Sequence, residues 1–269
     1  EIGMYPQINK KSGWQGCNLT EINGGKCNTE EDFYKACRAA SILGTLQAGY
    51  TDFKFLTETS KLIFDREALL GVSITGWMNN PDILFNEKIL EKGAEIVKEV
   101  NREVARIIGI NPAARTTCVK PSGNASVLLQ TASGIHAEHS NMYIRNVQMN
   151  KESEITQAIM KTNPYMVEES VWSAGGTDVV VSFPILPKKG SLYKDDLLGV
   201  KHLELVKKAQ KHWVEAGTNE ELCADKGVRH NVSNTIIVDD WDEVEKYVYE
   251  NRDAFAGISF LPMTGDKDY

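Results

Sequence analysis

Amphipathic helical patterns alternate with short apolar runs along most of this chain, and that alternation constrains its fold more than any other feature. The clearest helix runs from Asn86 to Ile108. Ile89, Leu90, Ile96, Val97, Val100, Val104, Ile107 and Ile108 recur at three- and four-residue intervals, while Lys and Glu fill the other face. Asn111-Pro112 stops it. Thr29 is placed to cap a helix reaching about Ala48, with Phe33, Cys37, Ala40, Leu43 and Gln47 along one side. Asp195 to Ala216 reads as a second long helix, Ala125 to Ala132 as a short one, and Asp240 to Asn251 as another with Asp240 and Glu243 at capping-box spacing. Between them fall strand candidates at the end of the Trp14–Ile22 segment, at Leu70–Trp77, Thr116–Lys120, Thr177–Phe183 (with Val179-Val180-Val181 as a continuous core), Asn234–Val238 and Ala256–Leu261. This is the pattern of an α/β fold. No linker, repeat or charged tail divides the chain, so a single domain over residues 1–269 is expected.

Composition narrows the function. With 30 Lys+Arg against 37 Asp+Glu, the net charge of −7 argues against general nucleic-acid binding, which needs cations on phosphates. No stretch approaches the ~18 apolar residues of a membrane span, and no leader pattern opens the sequence. The five cysteines are odd in number and include no Cys-x-x-Cys pair, so a reduced, cytoplasmic setting is expected. The sequence begins at Glu1 and ends at Tyr269 without polar tails, which suggests a piece of a longer chain.

Several positions carry possible chemistry. In Lys120-Pro121-Ser122-Gly123-Asn124-Ala125-Ser126 a strand ends, a turn comes next and a helix begins. Backbone N–H groups at a helix start form an anion site, Ser122 and Ser126 can add hydroxyls, and Lys120 can add charge. The same pattern also describes an ordinary N-capped helix, and spacing does not separate the two. Neither the Walker pattern nor Gly-x-Gly-x-x-Gly is present. Cys17 sits among glycine and polar residues, whereas Cys37 and Cys118 read as core. His136 and His139 lack a third ligand, so no metal site is expected. Glu1 alone reads as a solvated charge.

Taken in order, these segments resemble the ribonucleotide reductases. Glu1-Ile2-Gly3-Met4-Tyr5-Pro6 resembles the stretch of the Asn-Pro-Cys-x-Glu motif that lies C-terminal to its active-site cysteine. Gly16-Cys17-Asn18-Leu19-Thr20-Glu21-Ile22 and Leu69-Leu70-Gly71-Val72-Ser73-Ile74-Thr75-Gly76 resemble segments of the adenosylcobalamin-dependent (class II) branch. Ile110-Asn111-Pro112, Cys118-Val119-Lys120-Pro121-Ser122-Gly123, Ser133-Gly134-Ile135-His136, Tyr143-Ile144-Arg145, Val181-Ser182-Phe183-Pro184, His202-Leu203-Glu204-Leu205, Gln210-Lys211-His212-Trp213 and Gly257-Ile258-Ser259-Phe260-Leu261-Pro262 continue the likeness over nearly the whole chain.

The resemblance implies the C-terminal part of a ten-stranded α/β barrel, with the N-terminal part, the thiyl cysteine and the C-terminal tail absent. It implies reduction of ribonucleotides, in the triphosphate-reducing type, by a thiyl-radical mechanism. Glu1 would be the base for the ribose 3′-OH. Cys17 would be one of a redox cysteine pair, re-reduced by thioredoxin or a similar dithiol. Ser122, Gly123, Asn124, Ala125 and Ser126 would hold the substrate phosphates, although Asn124 stands where relatives often have Thr. Adenosylcobalamin would be the cofactor. The partners would be the ribonucleotide and the missing N-terminal part, with neither nucleic acid nor membrane. Two alternatives remain at this level: a class I large-subunit fragment, disfavoured by the absence of tyrosines in Arg229–Thr235, and a non-catalytic nucleotide-binding fragment of a split reductase.

Overall fold

Short-range capping sets where the helices begin. The computed structural model describes residues 7–263, starting with a small hairpin of β1 (Gln7–Ile8) and β2 (Lys11–Ser12) before β3 (Asn18–Asn23). At Thr29 the hydroxyl accepts from Asp32 N–H at 3.1 Å and the Asp32 carboxylate accepts from Thr29 N–H at 3.0 Å, which opens α1 (Glu30–Ala48). A helix α2 (Glu58–Glu67) leads into β4 (Leu70–Thr75), then a single turn α3 (Pro81–Leu84). Asn86 caps α4 (Glu87–Ile108). Against expectation, Leu43 is 62% exposed and Gln47 also faces solvent. The inward repeat is Phe33, Cys37, Ala40, Gly44 and Ala48, with Ser41 and Thr45 beside it, and this turns Leu43 outward. Polar bonds join the paired helices: Ser41 Oγ donates to Val97 O and Asn101 Nδ2 to Thr45 Oγ1.

β3 with β4 and β8 with β9 pair in parallel, with helices between the strands. β3 pairs with β4 from Asn18↔Leu70 to Asn23↔Thr75. On the other side of β4 lies the extended segment 115–119, where Leu70 N–H donates to Arg115 O, Val72 N–H to Thr116 O and Cys118 N–H to Val72 O. Its Val119 in turn pairs in parallel with Val232. The expected strand at Thr116–Lys120 is therefore present as bridges at alternate positions, flanked by neighbours on both sides. After it comes α5 (Gly123–Leu129). β8 (Thr235–Val238), α8 (Trp241–Glu250) and β9 (Ser259–Pro262) complete the series, with β8 and β9 parallel and Asp240 capping α8. Parallel pairing with intervening helices is the βαβ arrangement.

Alternation divides this sheet into two faces. Ile22, Val72, Ile74, Val119 and Val232 face the helices and join Phe33, Leu90, Val97 and Trp213 in one core. Cys17, Leu19, Glu21, Gly71, Ser73, Cys118 and Lys120 carry the opposite parity.

The expected Asp195–Ala216 helix is divided. Lys194–Asp196 forms a 3-10 turn, α7 spans Gly199–Ala209, and Gln210–Glu215 continues as a wider π turn. The π turn arises from long-range bonds: Gln210 donates to His230 O and accepts from Val232 N–H, while Trp213 Nε1 donates to Cys118 O.

The described residues form two compact units. One comprises the chain up to Glu138 and from Gly190 onward; the other is His139–Lys189. The second contains β5 (Tyr143–Asn150), α6 (Glu154–Thr162), β6 (Val167–Glu169) and β7 (Asp178–Ile185), in the antiparallel order β5-β7-β6. In β7, Val179 and Val181 are buried and Val180 is less so, an alternation in place of the continuous core expected. No composition shift marks either boundary of this unit.

Candidate active site

The polar face of the β3–β4–(115–119) strands starts at Cys17. Its thiol is half-buried, and the cost of placing a thiolate there pushes its pKa up to about 12. Gly71 lies opposite on β4. A Cβ on Gly71 would stand 2.7 Å from Cys17 Sγ and 3.0 Å from Cys118 Sγ. The bare glycine therefore leaves two sulfurs converging over it, under about 6 Å apart by those two distances. Cys118 is buried, and burial holds its thiol well above the ordinary range, with further upward pressure from the Cys17 and Glu21 charges. Both groups are accordingly held as neutral S–H.

One step along the face, Glu21 accepts a hydrogen bond from Ser73 Oγ at 3.3 Å, and Ser73 Oγ accepts from Lys120 N–H at 3.0 Å. Burial raises the Glu21 carboxyl to about 7, with the Ser73 bond pulling the other way. Burial likewise lowers the Lys120 ammonium from its ordinary value.

The far end of the face is organised by Thr75. Its hydroxyl donates to Ala132 O at 2.8 Å and accepts from Gly134 N–H at 2.9 Å. With that one proton committed, the 2.5 Å contact to Ser122 Oγ makes Ser122 the donor. Ser126 Oγ donates to Gly123 O at 2.8 Å. The Ser122 proton is thus committed to β4 and the Ser126 proton to the loop itself. What remains for an anion is the backbone at the start of α5. There Gly123 holds φ +43°, a conformation L side chains rarely adopt, and the space where its Cβ would stand is open. The α5 start falls at Gly123, two residues before the expected Ala125.

Cys17 and the 122–126 loop therefore lie at opposite ends of one strand face, separated along β4 by the four residue steps from Gly71 to Thr75, about 13 Å. Glu1 lies outside the described residues. Glu21 and Cys118 belong to the same face and went unremarked as chemistry in the sequence, where Cys118 read only as core. The signal for Glu21 was its even spacing from Cys17; for Cys118 there was none without strand register. Among the described residues, no group of three or more His, Cys, Asp and Glu side chains is arranged to hold a metal ion, and no helix is long and apolar enough to cross a membrane.

This architecture matches that of a solved structure. The crystal structure of a B12-dependent (class II) ribonucleotide reductase superposes with a TM-score of 0.76 over 95% of this chain and 38% of that one, at 16% identity. The fold is thus that of part of the α/β barrel seen in that structure, as the motifs led one to expect.

The particular likeness comes from sequence. The chain is 26% identical over 213 residues to a Dictyostelium discoideum protein named "probable adenosylcobalamin-dependent ribonucleoside-triphosphate reductase", covering 77% of this chain and 26% of that protein. It is 23% identical over 252 residues to the adenosylcobalamin-dependent ribonucleoside-triphosphate reductase of Euglena gracilis, covering 91% and 32%. It is 25% identical over 301 residues to that of Lactobacillus acidophilus, covering 98% and 39%. The chain spans roughly a quarter to two-fifths of the length of these relatives. No family model matches the chain. The resemblance to adenosylcobalamin-dependent reductases drawn from the motifs is borne out by these relatives.

Proposed function

We propose that this chain forms the C-terminal part of the catalytic barrel of a ribonucleoside-triphosphate reductase, both compact units belonging to that one domain. The observation that carries the reading is the pairing of a protonated Cys17 thiol with the 122–126 loop on a single strand face, in a chain whose relatives are reductases over most of its length. A neutral thiol fits radical reduction, because an S–H has a hydrogen to give and a thiolate has none.

In this reading Cys17 is one of two thiols that reduce the ribose. Two thiols release two protons and two electrons and become a disulfide, while the 2′-hydroxyl leaves as water and a C2′–H bond forms. The other thiol and the thiyl cysteine belong to the N-terminal part of the enzyme. Glu1 acts as base toward the 3′-OH. The α5 start, with Gly123, Asn124 and Ala125, receives the phosphates through backbone N–H groups, and Ser122 and Ser126 hold that loop in shape. A nucleotide laid along the face places its ribose toward Cys17 and its anionic tail toward Gly123. Adenosylcobalamin, when bound, supplies the organic radical that starts the chemistry. The Cys17 and Cys118 thiols suit that chemistry, being protonated. A thioredoxin-like dithiol closes the cycle.

The test is ribonucleoside-triphosphate reduction by the intact protein with adenosylcobalamin and a dithiol. Cys17→Ser is expected to abolish multiple turnover with thioredoxin. Undiminished turnover in that variant removes Cys17 from the redox pair, and activity that needs no adenosylcobalamin overturns the class.

A further inference from the structure

The loop that opens α5 is only as steady as the segments that carry it, and one buried side chain ties those segments together. Asn79 ends the 3-10 turn after β4 and is almost wholly buried. Its Oδ1 accepts from Thr131 Oγ1 at 2.6 Å and from Ala132 N–H at 2.7 Å. Its Nδ2 donates to Glu138 Oε1 and to Ser191 Oγ, both at 2.9 Å. A backbone N–H can only donate, so the amide oxygen is the atom facing Ala132, and both its lone pairs and both Nδ2 protons are in use. Thr131 and Ala132 close α5. Thr131 N–H donates to Ser126 O, and its side chain fills the space that a Cβ on Gly76 would need. Ala132 O accepts from the Thr75 hydroxyl and from Gly76 N–H. Thr75 in turn accepts from Ser122. The helix is therefore pinned at its end through Asn79 and at its start through Thr75, and the Ala132 peptide joins the two pins.

We propose that Asn79 is a positioning residue for the triphosphate: through Thr131, Ala132 and Thr75 it fixes where the backbone N–H groups of Gly123, Asn124 and Ala125 stand. The inference rests on the reading of the 122–126 loop as the phosphate site. In that loop the Ser122 and Ser126 protons are already committed, so the backbone does the binding. A side-chain donor can turn to follow an anion, whereas a backbone donor meets it only where the chain is held. The amide has a firm seat of its own. Glu138 N–H donates to Leu192 O, Lys194 N–H to Glu138 O, and Leu192 N–H to Met78 O. Only a carboxamide of this length serves two donors and two acceptors at once. Aspartate, its isostere, has no N–H to give Glu138 and sets one carboxylate against another. Thr131→Val removes one of the same bonds from the opposite side while nearly keeping the volume. Thr131→Ser keeps the hydroxyl.

The test is the steady-state kinetics of the intact protein with a ribonucleoside triphosphate, using inorganic triphosphate as a competitive inhibitor. Asn79→Asp and Thr131→Val are each expected to raise KM and the inhibition constant together by about tenfold, with a much smaller change in kcat, because contacts to the unreacting tail are shared by bound substrate and transition state. Thr131→Ser is expected to keep both constants near those of the wild type. A residue that only stabilises the fold lowers the fraction of active enzyme, and so kcat, at constant KM. A folded Asn79→Asp or Thr131→Val protein with unchanged KM, whatever its kcat, therefore overturns the proposal. Should Asn79→Asp fail to fold, Thr131→Val decides. Inorganic triphosphate that does not compete with substrate in the wild type overturns the phosphate reading of the loop and this inference with it. Competition that is present in the wild type and equally strong in the variants overturns this inference alone.

Discussion

Gly71 illustrates how one residue without a side chain shapes chemistry around it. A methyl group there would stand 2.5 Å from a Leu19 methyl and meet both sulfurs. Leu19 is 45% exposed and can swing away, but Cys118 is buried and cannot. Gly71→Ala is therefore expected to destabilise by about 1–3 kcal/mol, the ordinary cost of overpacking, and to separate the two thiols. Urea unfolding measures the first effect, and the relative alkylation rates of Cys17 and Cys118 the second. A fully stable variant with unchanged thiols would mean that the strands part easily at this point. Cys17 and the Pro121-Ser122-Gly123 turn were visible in sequence through the family motifs. Glu21 and Cys118 stand in the same motifs, but that they share a face with Cys17 shows only when three strands are set in register.

At the scale of elements, a buried ion pair ties α2 to the approach of β3. Glu67, at the end of α2, accepts from Arg115 Nη1 at 3.1 Å and from Gln15 Nε2 at 2.8 Å, and both ends of the ion pair are almost wholly buried. Arg115 also donates to Val228 O and Asp225 O, which draws in the loop before the 231–233 segment. Removing one partner strands the other charge in a dry site. Glu67→Ala is expected to cost about 3–5 kcal/mol in chemical denaturation. A loss below about 1 kcal/mol would show that water reaches Arg115. The helix limits at Thr29, Asn86 and Asp240 were legible in sequence because caps act within four residues. The π turn at Gln210–Glu215 was hidden, since its cause lies some twenty residues on, at His230 and Val232.

Across the whole molecule, the buried histidines set the response to acid. Burial lowers His202 and His230 to about 4, and each keeps one ring nitrogen on a backbone carbonyl, Ile135 O and Thr117 O respectively. The unfolded chain therefore binds protons that the folded chain refuses between the ordinary value of 6.5 and about 4. Stability falls as pH drops through that window, by up to about 3 kcal/mol for each histidine. Glu21 acts in the opposite sense, since its raised carboxyl binds a proton more tightly when folded, and that contribution is lost as pH rises from 4.5 to about 7. With two histidines against one carboxyl, thermal unfolding is expected at a lower temperature at pH 4.5 than at pH 7. His202→Gln is expected to flatten the difference, and an unchanged pH dependence in it would place the acid sensitivity elsewhere.

What the sequence determined alone were features that local interactions decide: the α/β alternation, the capped starts of α1, α4 and α8, and the glycine-bearing turn before α5. Each depends on residues within one helical turn or one strand period. The tertiary structure decided the rest. It chose which stripe of α1 faces inward, where α7 widens, that residues 139–189 form their own sheet, and that Cys17, Glu21 and Cys118 share a face. Those outcomes rest on strand register and hydrogen bonds between residues tens of positions apart, and no short window of sequence contains both partners.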